Sequence, residues 1–431
     1  MKIRKKSLLY FYIAFYPIIP VYFGVGAVSF YIYFNILFAL ILFVLSFESI
    51  GKLFNKTTCL FCLYVLSMVL SNFVHNNYVY VIRDITSLPL IAIAFLRLIK
   101  TEEDLLEGID VIVKVGYILG ILGIIESITH FNFFSLFNTM GASLNYNDFR
   151  LGMLRILSYT SQTITYADYA TMIACLAFYR IMTSYGKERS KFVRIYVVMC
   201  INVILTFSRS IILVFVIAQV LLSLFCGFRK AVRNFFLGFA CVILVIAIIS
   251  QVIPTAKTAM NNFLYMFLAV VSDEYVGSIA NTVDNTTGIG HRFLLYEWVW
   301  NSVKGNLLFG FGLEARFRYD TGTMMKTAIE VQYLYTLFHN GIIAMVAEIG
   351  MYLGLLFSSF GYGKKNRLST ERGKLTFGKT CFALFLSQIL SYFAVMQDTV
   401  GRMFFIIVFL FFSYAINVIP NSRRILYRKE E

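Results

Sequence analysis

Residues 192–227 read FVRIYVVMCINVILTFSRSIILVFVIAQVLLSLFCG, two apolar runs joined by a turn of almost no length, with Arg209 between Ser208 and Ser210. About 20 apolar residues cross a bilayer core of about 30 Å, so the stretch reads as a helix that crosses a membrane, reverses and crosses back. The pattern recurs outward in both directions. Counting this pair, twelve runs stand at 8–23, 27–47, 57–74, 79–99, 111–128, 163–183, 192–207, 210–227, 234–253, 331–358, 380–397 and 402–419. Composition agrees: 59% of the 431 residues are hydrophobic, 14% are charged and mean hydropathy is +0.75, leaving too little polar surface to wrap a water-soluble globule. The expected fold class is an all-α polytopic membrane protein, one transmembrane domain over 1–431 with about 12 transmembrane helices.

The opening MKIRKK and the run after it imitate a secretory signal, but a second run begins at Ala27, so the first span is read as uncleaved. Pro254 and Pro420 fall where spans should stop, and Pro89 should kink the fourth. With the N-terminus inside, cytoplasmic segments hold 26 of the 38 Lys and Arg residues and the opposite side 11, six of them in one long segment that escapes the positive-inside rule. Both termini are therefore expected in the cytoplasm. The formal charge of +15 is mainly this orientation signal and an attraction to anionic membrane lipid, carried by GKERSK, FRKAVRN, GKKNR and RRILYRK. With no solvated basic domain, nucleic acid is not an expected partner. The seven cysteines all lie in apolar runs and act as small hydrophobes, which argues against a disulfide framework.

Two segments break the short-loop rhythm, both on the expected outer face: an external loop at 129–162, and a large one at 254–330 between spans nine and ten that would cover the site. Within the second, RFLLYEWVWNSV has Glu297, Asn301 and Lys304 at helical spacing and both tryptophans, Trp298 and Trp300, so it should be an interfacial helix or one pressed onto the bundle.

Polar groups kept at the outer boundary are the candidates for chemistry. A guanidinium at Arg209 is costly unless it snorkels or meets an anion, and both readings stay open. Arg292 follows two glycines and opens the aromatic helix, where its charge adds to the positive helix end. That suits phosphate, though a surface arginine in a polar loop is the plainer alternative. His339 and Asn340 lie about two turns inside the tenth span, and His339 is the sole histidine in any predicted span. A neutral imidazole there could accept a proton from a hydroxyl, or be a packed core group. Glu348, nine residues on, is about 13 Å away along a helix, too far to orient it. Absent Walker A, HExxH and GxSxG patterns, ATP-driven transport, a metal site and a serine nucleophile have no support; no metal or cofactor is expected.

At these residues the chain resembles the bacterial O-antigen polymerase and O-antigen ligase superfamily of polytopic glycosyltransferases. The resemblance rests on FSRS between two spans, HRFLLYEWVWNSVKGNLLFGFG in the external loop, HNGIIAMVAEIG in the tenth span, and the span count. Asn306-Leu307-Leu308-Phe309 stands where the family carries Pro before Gly-x-Gly. The resemblance implies a polyprenyl-diphosphate-linked oligosaccharide donor, a sugar hydroxyl acceptor and inverting transfer without metal. In that scheme Arg209 and Arg292 hold the diphosphate and His339 deprotonates or aligns the acceptor. Asn340, Arg316, Arg318 and, through LRILSYTSQTITYADYA, Arg155 are further substrate-binding candidates. It also implies the bacterial cytoplasmic membrane, a site on its outer face, and work beside a flippase and a chain-length regulator. A polymerase of surface-polysaccharide repeat units is the first expectation and a ligase to lipid A core or a wall acceptor the second. A flippase for the same lipid-linked sugar is third, because it should show two related halves.

Overall fold

A computed structural model of the chain describes residues 5–26, 28–47, 55–142, 144, 149–150, 153–227, 289–320, 325–326, 328–365, 368, 371, 375–393, 396 and 398–421. The ninth expected span and residues 254–288 of the large loop lie outside the described residues, as does the side chain of Arg292.

The described chain is helical apart from three hairpins of two-residue strands, at Gly24–Val25 with Val28–Ser29, Phe149–Arg150 with Met153–Leu154, and Tyr319–Asp320 with Met325–Lys326. The helices are α1 Lys5–Phe15, α2 Phe30–Leu45, α3 Lys56–Val74, α4 Tyr78–Ile85, α5 Ile91–Leu98, α6 Glu102–Thr129, α7 Thr163–Thr183, α8 Gly186–Leu205, α9 Arg209–Cys226, α10 Ile289–Val303, α11 Gln332–Lys365, α12 Phe377–Ser391 and α13 Asp398–Ser413. Six helical stretches among the described residues are long and apolar enough to cross a membrane: Lys56–Val74, Tyr78–Leu98, Glu102–Thr129, Arg209–Cys226, Gln332–Lys364 and Gly401–Asn421. Phe30–Leu45 and Phe377–Ser391 are apolar but shorter. The chain is a multi-pass membrane protein.

Local sequence explains most boundaries. Asn55 with Thr58, and Thr101 with Asp104, form capping boxes that start α3 and α6, and Glu102, Glu103 and Asp104 favour the positive end of α6. The first expected span is shortened, because α1 stops at Phe15 and Pro17 enters a single 3-10 turn over Tyr16–Ile18. Proline there removes a donor that a continuing helix needs. Pro89 lies inside a five-residue π turn, Thr86–Leu90, that joins α4 to α5.

Most crossing stretches present a large face to lipid, but α13 does not. Of the apolar centre of the Gly401–Asn421 stretch 83% is buried, against 28–44% in the centres of the other five. It packs against α5, α7 and the Tyr16–Ile18 turn, and its rings engage Phe61 at centroid separations of 5.5–6.3 Å. Because lipid tails are as apolar as these side chains, close packing holds the bundle together more than the hydrophobic effect does. The consequence for the site is that Arg402, in the first turns of α13, is carried into the interior.

Candidate active site

His339 and Asn340 are not in an unbroken helix, as the sequence suggested. Gly341 (φ 83°, ψ −178°) breaks α11 directly after them. The break releases carbonyls that would otherwise bond one turn ahead, and the turn at Leu307–Gly312 takes them up. Phe311 N–H donates to Phe338 O (2.9 Å), Gly312 N–H to His339 O (2.8 Å), and Ile342 N–H to Leu307 O (2.8 Å). Unpaired backbone at this depth would be costly, so the two segments complete each other. Gly310 and Gly341, both at positive φ, meet so closely that a Cβ on either would overlap backbone of the other segment.

The interlock sets the imidazole. Nδ1 of His339 lies 2.8 Å from Gly312 O. A carbonyl only accepts, so Nδ1 carries the proton and Nε2 presents its lone pair. The Tyr335 ring packs 4.3 Å from the imidazole, and His339 is 6% exposed. Glu348 does not orient it: its carboxylate accepts from Gln332 Nε2 and Tyr352 OH, both at 2.9 Å. On the far side of the turn, His75 adds an Nε2 contact to Gly310 O at 3.1 Å, and Ser71 Oγ donates to Phe309 O. His75 was scattered in sequence; only the tertiary structure brings it to the Gly-x-Gly turn.

A second group forms around the FSRS turn. Phe207 takes φ 50°, and Arg209 is half-buried at the start of α9 with Ser208 before it. Arg155 donates from Nε to Thr206 O (2.9 Å) and from Nη2 to Ser208 Oγ (3.1 Å). The structure therefore sets Arg155 against the turn that carries Arg209. Glu126 near the end of α6 fastens this segment, accepting from Leu157 N (3.0 Å), Ser158 N (2.9 Å) and Asn132 Nδ2 (2.9 Å). Glu126 was missed in sequence because its partners are 31 and 32 residues away.

Helix α10 begins at Ile289, so Arg292 is its fourth residue, and α10 packs on α11 through buried Leu295, Val299 and Val303 at four-residue spacing. Arg316 and Arg318 are exposed on either side of Phe317, which is buried edge-on to Phe338. Beside His339 lies a cavity of about 200 Å³, to which Tyr335, Thr336, Asn340 and Leu313 contribute together with Arg83 and Arg402. Neither of those arginines stood out in the sequence, where each was one cation at the edge of an apolar run.

A family model described as O-antigen ligase matches residues 195–358. The chain carries an O-antigen ligase family domain. It takes in the FSRS turn, α10, the Gly-x-Gly turn and the broken α11, the pieces whose geometry is described above. A search of curated proteins found none that matches. The O-antigen ligase family domain ends before α12 and α13 and begins after α7, so Arg83, Arg155 and Arg402 lie outside it. The match supports a glycan-transferring membrane enzyme of surface-polysaccharide synthesis.

Proposed function

We propose that the protein polymerises surface-polysaccharide repeat units. A glycan would pass from its polyprenyl diphosphate to a hydroxyl of the next lipid-linked unit, on the outer face of a bacterial cytoplasmic membrane crossed about twelve times, with both termini inside. The observation that carries this reading is the His339 tautomer: a buried imidazole with Nδ1 committed to Gly312 O and Nε2 left to accept a proton. The acceptor hydroxyl loses its proton to Nε2 as its oxygen bonds to the anomeric carbon. The bond from that carbon to the diphosphate oxygen breaks, and the lipid diphosphate departs with the electron pair. Inversion follows from attack opposite the leaving group. The departing anion needs cations more than a proton, and Arg209, Arg292 and Arg155 are assigned to it, with Arg316, Arg318 and Asn340 toward the glycan. Residues 254–330 would cover the site.

The decisive experiment supplies purified protein in lipid with synthetic polyprenyl-diphosphate repeat units. A product ladder is expected, unchanged by EDTA. His339→Ala should slow it by roughly 10²–10⁴-fold, the usual worth of a general base, and Arg209→Ala should do likewise while protein stays folded in the membrane. Full activity of His339→Ala, or EDTA inhibition reversed by a divalent ion, rejects this chemistry. The description of the matching family favours a second reading, transfer of finished glycan to another acceptor. Product that forms only when lipid A core or a wall acceptor is added would select it.

A further inference from the structure

Arg402 is 7% exposed, in the most buried of the six crossing stretches described. Its Nη1 donates to Tyr16 O (3.0 Å) and Ile19 O (2.8 Å), which ties the first turn of the chain to α13. Its Nε and Nη2 are also buried, and they meet no hydrogen-bond partner among the described residues. Arg402 lines the cavity together with Asn340, whose Oδ1 likewise has no partner among the described residues. Arg83, on the same wall, is already answered: it donates to Asp84 Oδ1 from Nε (2.9 Å) and Nη2 (2.7 Å), while Asn72 holds Asp84 Oδ2. The charged lining groups Arg83, Asp84 and Arg402 therefore leave one positive charge in excess.

A buried guanidinium with unfilled donors is expensive, and Arg402 is one of the residues that line this cavity. The remaining walls are largely aromatic, with Tyr12, Tyr16, Tyr31, Tyr64 and Tyr335, and Tyr31 lies 4.5 Å under the guanidinium. Rings beside hydrogen-bonding groups suit a sugar, which has apolar faces and a polar rim. The volume of about 200 Å³ is below the roughly 300–1,000 Å³ of drug-sized pockets. It suits one residue or one anionic group rather than a chain.

We propose that this cavity is a binding site for an anionic group of the substrate, a carboxylate or phosphate held by Arg402 with Asn340 beside it, and that it seats one acidic sugar residue next to His339. This rests on the transferase reading for its substrate class, but it is tested by binding alone, so it can fail while the ladder persists, and the reverse. The full-length protein in lipid nanodiscs is titrated calorimetrically with methyl glucuronide, methyl glucoside and farnesyl diphosphate. Saturable binding of methyl glucuronide but not methyl glucoside, weakened about tenfold or more by Arg402→Gln, is expected. Farnesyl diphosphate showing that dependence instead would make the lipid diphosphate the source of the anion. Because Arg402→Gln also loses the Tyr16 and Ile19 carbonyls, Met68→Trp, which fills the cavity from α3 and leaves those bonds alone, should abolish the same binding. Failure of both anionic probes to bind, or binding that survives Met68→Trp in folded protein, overturns the proposal.

Discussion

Three glycines carry more of the site than their size suggests. Gly310, Gly312 and Gly341 all have positive φ, and at each a Cβ would run into a neighbouring segment: Leu308 for Gly341, Phe338 for Gly310, His75 for Gly312. Gly341→Ala should cost about 1–3 kcal/mol or more from backbone strain and overlap, and should lose activity beyond the loss of folded protein, because Nδ1 of His339 would no longer meet Gly312 O. Thermal unfolding and transfer rate on the surviving protein check both parts. Wild-type activity in Gly341→Ala would mean that the interlock does not set the imidazole. His339, Asn340 and Arg209 were legible in the sequence because polar groups amid apolar runs are rare and costly. The break after Asn340 was not, since a glycine in a long apolar run reads equally as helix, and its partner turn is some 30 residues away.

At the scale of elements, the connections between helices are pinned by carboxylates. Glu126→Ala would leave the Leu157 and Ser158 N–H groups unanswered, costing about 1–3 kcal/mol, and would loosen the segment that sets Arg155 on the FSRS turn. A lowered unfolding temperature together with slower transfer is expected, whereas slower unfolding or unchanged transfer would detach that segment from the site. Glu371 plays a comparable part before α12, accepting from Leu368 N (2.8 Å), Phe377 N (2.6 Å) and Tyr179 OH (3.3 Å). Burial raises its carboxyl to about 7. A carboxyl raised on folding stabilises fully below its unfolded pKa of about 4.3, and this contribution is lost as pH climbs through about 7. Relative to Glu371→Gln, the wild-type unfolding temperature should therefore fall between pH 5 and 8; a parallel profile for the two proteins would contradict this. The helix reading of RFLLYEWVWNSV followed from the spacing of Glu297, Asn301 and Lys304, and the structure adds that Leu295, Val299 and Val303, four residues apart, form its buried face. The shortening of α1 was also open to reading in Pro17 and Pro20, but the apolar run around them outweighed the two missing donors.

For the whole molecule, the charge bias gives an orientation that can be checked directly. In a background lacking the seven cysteines, Leu136→Cys in the first external loop should react with a membrane-impermeant thiol reagent on intact spheroplasts. Lys187→Cys, at the start of α8, should react only after permeabilisation. The opposite pattern would reverse the topology and move the site to the other face. The sequence by itself determined that this chain is a multi-pass membrane protein and which motifs liken it to glycan transferases. Those properties are local, because transfer free energy, helix length and a short motif are each set within some 20 residues. Only the tertiary structure decided that the last apolar helix is the most buried of the six crossing stretches described, that Arg402 is carried with it to the cavity that Asn340 also lines, and that the Gly-x-Gly turn fixes the imidazole proton. These depend on which backbone groups and charges, distant along the chain, must answer one another where no water can.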